Sequence, residues 1–152
     1  MQNDRHRKVI RELMEKDVDQ VCVLEEEAFS MPWHKESFLE MIRNPDAMYL
    51  VALGQNDEVT GCCGVRNIVM EGDISNVVVK RAERGKGTGR ALMTELMIRA
   101  VEKYGIQAFT LEVRVSNTAA IKLYQSLGFV NEGIRPDFYE KPIEDAMIMW
   151  KR

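Results

Sequence analysis

At 152 residues, 45% of them hydrophobic and 30% charged, the chain has the apolar content for one buried core and is neither disordered nor fibrous in composition. A net charge of -3 argues against nucleic acid as the main partner, and no apolar run reaches the ~18 residues of a membrane span. The charged segment Met1–Lys8 has no apolar stretch behind it and is not read as a signal peptide. Three cysteines, Cys22, Cys62 and Cys63, lack metal-type Cys/His spacing and predict reduced thiols, no metal site and a cytoplasmic protein.

In chain order, Val9–Met14 reads as a strand. Asp17 is placed to cap a helix over Val18–Ala28, with Val21, Leu24 and Ala28 on its buried face. Phe29-Ser-Met-Pro-Trp33 interrupts it, because Pro32 cannot continue a helix. The aromatics of this loop suit either a binding-site wall or a plug in the core. A second helix covers Lys35–Arg43. Strands follow at Tyr49–Leu53, Val59–Met70 and Asp73–Val79, with turns at Gln55–Glu58 and Glu71-Gly72, which predicts an antiparallel meander. Cys62 and Cys63, adjacent in a strand, should face opposite ways.

Arg90–Tyr104 carries apolar residues at helical spacing, and Gly105 fits its C-cap. Ala108–Val115 alternates as a strand, with Phe109, Leu111, Val113 and Val115 on one face and Thr110, Glu112 and Arg114 on the other. Asn117 starts a helix over Ala119–Leu127 that Gly128 ends. Phe129-Val130 opens a strand, Arg135–Pro142 forms a hairpin tip, and Ala146–Trp150 is the last strand. The order β-α-α-β-β-β-α-β-α-β-β predicts a single domain over 1–152, an α/β (α+β) layered fold with a mostly antiparallel sheet. The passage from Ile74 to Val115 would be a parallel crossover within it.

The centre of the chain is the loop Arg84-Gly-Lys-Gly-Thr-Gly-Arg90 between a β-branched strand and a helix. Glycines let main chain approach a ligand, and the free N–H groups of a helix's first turn favour an anion. Lys80, Arg81, Arg84, Lys86 and Arg90 add positive charge. The nucleotide P-loop pattern fails, since Gly87 follows Lys86 and Lys80 holds the first glycine position. The dinucleotide pattern fails on spacing. A solvated, glycine-rich surface loop remains the plain alternative.

Three further residues are candidates for chemistry. Glu112 lies in an apolar strand, where glutamate is disfavoured. It is either paired with Arg114 on the same face or a general base whose pKa partial burial raises. Asn117, Ala120, Ile121 and Tyr124 share a helix face suited to an amphiphilic ligand, although an N-cap and a core aromatic explain Asn117 and Tyr124 as well.

Arg84-x-x-Gly87-x-Gly89 resembles the pyrophosphate loop of the GNAT N-acetyltransferases. Leu111–Asn117, Ala120–Tyr124, Leu127-Gly-Phe129, Glu144–Met149 and the Phe29–Trp33 loop are similar to one group of them, the RimI family. Members acetylate the N-terminal alanine of a small-subunit ribosomal protein. The chain departs from the family at His34, where Ser or Thr is usual. The resemblance implies a GNAT-type sheet of about seven strands flanked by about four helices. It implies acetyl-CoA as cosubstrate, Glu112 as general base and Tyr124 as general acid. It gives Val77, Val78 and Val79 to the pantetheine arm and thioester, Arg84, Gly85, Lys86, Gly87, Thr88, Gly89 and Arg90 to the pyrophosphate, and Asn117 to a cofactor contact. Phe29, Trp33, Phe138 and Tyr139 become the acceptor-side candidates, and the partner is a ribosomal protein N-terminus, with no nucleic acid or membrane. Two rivals stand beside this reading: an acetyltransferase of a small amine, and a non-catalytic acyl-CoA-binding module. The acids Glu25, Glu26, Glu27, Asp137, Glu140, Glu144 and Asp145 flank the acceptor segments and predict attraction for a cationic peptide.

Overall fold

A computed structural model describes residues 9–152; the Met1–Lys8 segment lies outside the described residues. Seven strands form one sheet in the order β1-β2-β3-β4-β5-β7-β6. They are β1 (Val9–Glu12), β2 (Ala47–Leu53), β3 (Val59–Ile68), β4 (Glu71–Val79), β5 (Ala108–Arg114), β6 (Val130–Tyr139) and β7 (Glu144–Lys151). Every neighbouring pair is antiparallel except β4 and β5. The predicted mixed, mostly antiparallel α/β sheet is thus borne out, with helices α1 (Val18–Ala28), α2 (Lys35–Arg43), α3 (Thr88–Tyr104) and α4 (Thr118–Ser126).

The helices cover both faces because the strands are apolar on both faces. On one face, Leu50, Cys63, Val65, Leu111 and Met149 pack with Leu92, Met93 and Leu96 of α3 and Tyr124 of α4. On the other, Tyr49, Val51, Cys62 and Val78 pack with Val18, Val21 and Leu24 of α1 and Phe38 and Met41 of α2. Cys62 and Cys63 do fall on opposite faces, as strand alternation requires. Among the described residues no helix is long and apolar enough to cross a membrane.

Four local expectations are corrected. Asp17 does not cap α1: its carboxylate accepts from Met14 N at 2.8 Å and is gripped by both Arg11 terminal nitrogens at 2.7 and 3.0 Å, which fastens the end of β1 to the helix start. The turn between β3 and β4 is Val69-Met70, both at positive φ, and Glu71-Gly72 already belongs to β4. Gly72 is required there by packing, since a Cβ would lie 2.7 Å from the Phe109 ring. Ala28 and Val115, expected on buried faces, are exposed. Finally, β6 continues through Arg135 to Tyr139, so the hairpin tip is only the short segment before Glu144.

Candidate active site

The parallel pair β4–β5 is short. Glu71, Gly72 and Asp73 align with Ala108, Phe109 and Thr110, and there the pairing stops. β5 then stays with β7 as far as Arg114, while β4 stays with β3. The cause is local: Asn76 sits at φ 58, and the β3–β4 register slips between Cys62 and Gly64. Such a bulge bends and twists the strand that carries it. From Ile74 to Val79 the β5-facing edge of β4 therefore has no strand partner, and its main-chain groups face a wedge between β4 and β5.

At the end of β4 the wall continues into a cleft of about 600 Å³ between α1 and the glycine loop, lined by Leu24, Ala28, Val78, Val79, Arg81 and Arg84 among others. Val77 packs toward the α3/α4 core and Val78 toward the α1/α2 core. In the loop, Gly85 (φ 79) and Gly87 (φ 82) adopt left-handed backbone, and nothing lies within 4 Å of a Cβ built on either. α3 begins at Thr88, two residues earlier than its apolar pattern shows, with Gly87 as N-cap. Gly89 is thus helical, and its role is close packing: a Cβ there would meet Leu123 Cδ2 at 3.2 Å. The basic side chains are partly engaged. Arg84 Nε donates to Val79 O at 3.3 Å, Lys86 pairs with Glu83 at 3.3 Å, Arg90 donates to Ser126 Oγ at 2.6 Å, and Lys80 pairs with Glu58.

Glu112 stands on β5 just past the point where β4 departs. It is half-buried, and burial together with the negative charge of Asp73 raises its pKa, against the opposing pull of Arg135. Its ion-pair partner is Arg135, at 3.5 Å. The expected pairing with Arg114 is not formed, because Arg114 is committed elsewhere. It reaches Glu144 at 3.1 Å, Ser30 Oγ at 3.2 Å and Glu140 O at 3.0 Å, and lies 4.5 Å above the Tyr139 ring. Tyr124 is 7% exposed on α4. Burial pushes its phenol pKa up, and Cys63 and Tyr139 add smaller contributions in the same direction. Tyr139 is raised to about 12, first by burial and then by Glu112. Tyr139 thus feels the charge of Glu112, and it contributes in turn to the shift of Tyr124. Asn117 Oδ1 caps α4 by accepting from Ala120 N at 3.2 Å, which leaves its amide N–H groups uncommitted by that bond.

The Phe29–Trp33 loop and the β6–β7 hairpin, the segments expected on the acceptor side, meet. Ser30 Oγ donates to Glu140 O at 3.0 Å, and Arg114 bridges both. Phe29 and Phe138 are exposed; Phe138 packs edge-on to Tyr139 at 5.0 Å. Trp33 takes the plug role: its ring lies 5.4 Å from Phe38 and joins the α1/α2 core. His34 is the N-cap of α2 and makes no side-chain cap. The acidic field is thinner than the sequence suggests. Glu25 is buried, and Glu144 is occupied by Arg114 and by Ser116 N. Glu26, Glu27, Asp137 and Glu140 remain exposed.

The Acetyltransferase (GNAT) family model matches residues 18–129. The chain belongs to the GNAT acetyltransferase family. A Bacillus subtilis relative is 36% identical over 142 residues, covering 93% of each chain. The [ribosomal protein bS18]-alanine N-acetyltransferase of Escherichia coli K12 is 36% identical over 129 residues, covering 83% of this chain and 84% of its own. The crystal structure of the ribosomal-protein-S18-alanine N-acetyltransferase from Escherichia coli superposes with a TM-score of 0.83 at 31% identity, covering 95% of this chain and 93% of that one. The RimI resemblance read from the sequence is borne out. GNAT acetyltransferases use acetyl-CoA as the donor, so the wedge and the glycine loop are the places to weigh against that ligand. Sequence reasoning missed Asp73 and Arg135 as the charges that act on Glu112, the commitment of Arg114 to Ser30, Glu140 and Glu144, and the Glu25–Asn76 contact. Arg114 and Arg135 are placed by the pairing of β5 and β6 with β7, and Asn76 by the β4 bulge, all long-range in sequence.

Proposed function

We propose that this GNAT acetyltransferase moves the acetyl group of acetyl-CoA to the N-terminal alanine α-amine of a small-subunit ribosomal protein, in the cytoplasm, with Glu112 as general base and Tyr124 as general acid. The observation that carries the chemistry is Glu112, a half-buried carboxylate with a raised pKa at the mouth of the β4–β5 wedge. The relatives' named substrate supports the acceptor.

The residues fit acetyl-CoA. The open edge of β4 from Val77 to Val79 suits an extended amide-bearing arm, which would bind as an added strand. The open space at Gly85 and Gly87, the N–H groups opening α3 and the nearby Arg84, Lys86 and Arg90 suit a pyrophosphate. Asn117 would offer its amide N–H groups to the same ligand. An α-amine has a pKa of roughly 8, so its neutral form is within modest reach at neutral pH. Glu112 takes the proton, directly or through water. A main-chain N–H of Val77–Val79 steadies the oxyanion, and Tyr124 donates to the departing thiolate. No enzyme-bound acyl group is required. Cys62 and Cys63 are fully buried, and burial pushes the Cys62 thiol up to about 12, so neither is a competent nucleophile.

Two measurements test the assignment. Gly87→Val places a branched side chain on left-handed backbone in the open space over the loop. Calorimetry should show CoA affinity reduced tenfold or more, a loss of ~1.4 kcal/mol or greater. Gly87→Asn tolerates that backbone and separates obstruction from strain. Unchanged affinity in both variants removes the loop from the binding site.

A peptide panel with acetyl-CoA, read by mass spectrometry, tests the acceptor. Ala-Arg-starting peptides should be acetylated at the α-amine in preference to Ala-Glu-starting ones, and the preference should shrink as salt is raised. Preference for an Nα-blocked lysine peptide or for a free polyamine overturns the N-terminal assignment. Binding of acetyl-CoA with no transfer to any amine would mark a binding module instead.

A further inference from the structure

Glu25 of α1 is only 1% exposed. Its Oε1 accepts two hydrogen bonds, from Trp33 N at 3.2 Å and from Asn76 Nδ2 at 3.0 Å. Its Oε2 is enclosed with no partner among the described residues, and so is Asn76 Oδ1. A buried polar atom without a partner is costly, and such atoms are few in a native protein. Here both orphans are acceptors, and they belong to two planar groups already joined by one hydrogen bond. Turning the Asn76 amide over would set its oxygen against Oε1 and lose the existing bond. One added proton resolves the pair. Oε2–H would donate to Asn76 Oδ1 while Asn76 Nδ2–H donates to Oε1, closing a cyclic acid–amide pair.

We propose that Glu25 is a neutral carboxylic acid in the folded protein and that its pair with Asn76 is a positioning element, which holds the β4 bulge against the acceptor loop and so keeps the wedge open. Asn76 is the bulge residue at φ 58, immediately before Val77. Trp33 N, the third member, ends the loop after α1. The pair therefore ties the strand edge offered to the donor to the segment that faces the acceptor. The titratable groups near Glu25 are Cys22 on its own helix, Tyr49 of β2 and Cys62 of β3, and burial raises the pKa of each, so all three are neutral at pH 7. No Lys or Arg of the described residues forms an ion pair with it. Burial raises Glu25 itself, against the smaller opposing effects of Asn76 and Trp33 N.

The positioning role rests on the proposed acetyl transfer; the protonation does not, and the two are tested separately. Infrared difference spectra of wild type against Glu25→Gln at neutral pH should show the carbonyl stretch of a protonated carboxyl, shifted in D2O and absent from the variant. No such band overturns the proposal. Glutamine presents the same donor and acceptor as a protonated glutamate. Glu25→Gln should thus keep kcat within about twofold, because no buried group loses its partner. Glu25→Leu should lower kcat about tenfold or more, since it orphans Asn76 and Trp33 N.

The melting temperature supplies a further check. A folded-state pKa raised above the unfolded one gives stability that is full below the unfolded pKa and lost as pH rises through the folded pKa. Wild type should therefore lose stability relative to Glu25→Gln as pH rises. A folded Glu25→Gln protein with a tenfold loss of kcat would show that the negative charge is needed and would overturn the neutral assignment. If no acetyl transfer is detected in any variant, the infrared and melting comparisons still decide the protonation state.

Discussion

Glu112→Gln is expected to lower kcat by ~10²–10⁴-fold, the range a general base contributes, while CoA affinity changes little. The substitution removes the base and keeps the shape. Its one ion pair among the described residues, to Arg135 at 3.5 Å, involves an arginine side chain that is 55% exposed, so it contributes little to stability. The pH dependence has a defined sign. Burial and then Asp73 raise the Glu112 pKa. Wild-type kcat/KM should rise with pH as the carboxylate forms, with its midpoint above the ordinary glutamate value. Asp73→Asn removes a like charge and should move that limb to lower pH. Glu112→Gln should lose the limb, and its deficit should narrow at high pH, where the amine arrives deprotonated.

Stability runs the opposite way to activity. A carboxyl with a raised folded-state pKa contributes stability that is lost as pH rises through that value. Glutamine in its place should melt no lower than wild type at neutral pH, which separates a chemical loss from an unfolding one. Full activity of Glu112→Gln at neutral pH would make Glu112 a structural residue only.

How far this site could be read from sequence differs by element. The strand–glycine loop–helix unit was legible because its signals are local: a β-branched run, closely spaced glycines and an apolar helical stripe. The alternation of β5 likewise placed Glu112 opposite Phe109, Leu111 and Val113, all three of which are buried. The start of α3 was misread by two residues because Gly89 looks like loop; the structure uses it to bring the helix against Leu123 and Val79.

Partners were misread where they lie far apart in sequence. Same-face neighbours made Arg114 the natural companion of Glu112. In the fold Arg114 fastens the Ser30 loop to the β6–β7 hairpin, and Arg135 arrives from β6 in its place. In sequence Glu25 reads with Glu26 and Glu27 as part of an acidic field beside the acceptor segments, yet it sits one position past Leu24 on the buried side of α1. Its helical phase alone could have suggested burial. Nothing local announces that Asn76 would meet it, since that contact depends on a bulge.

Tyr124→Phe is expected to lower kcat by ~10²–10⁴-fold as well, with binding and folding preserved. The argument is about one oxygen atom. The ring belongs to the α3/α4 core and lies 6.1 Å from Phe129, and phenylalanine keeps that packing. Burial pushes the Tyr124 phenol above its ordinary value, so it is protonated throughout the working range and adds no descending limb to the pH profile below ~10. A phenol so raised is a poorer acid than an alkyl thiol, whose pKa in cysteine is ~8.5. Its contribution is therefore a hydrogen bond that strengthens as negative charge develops on sulfur, with full transfer of the proton late or not at all. That predicts a substrate dependence. Donors with a better leaving group, such as acetylated aryl thiols that still occupy the wedge, should suffer less from Tyr124→Phe than acetyl-CoA does. They should suffer the Glu112→Gln loss in full. Tyr139, raised to about 12 by burial and by Glu112, is the control: Tyr139→Phe should leave this leaving-group dependence intact. An equal loss for both donors in Tyr124→Phe would move the hydroxyl from the leaving group to some other step, and no loss at all would return Tyr124 to the core.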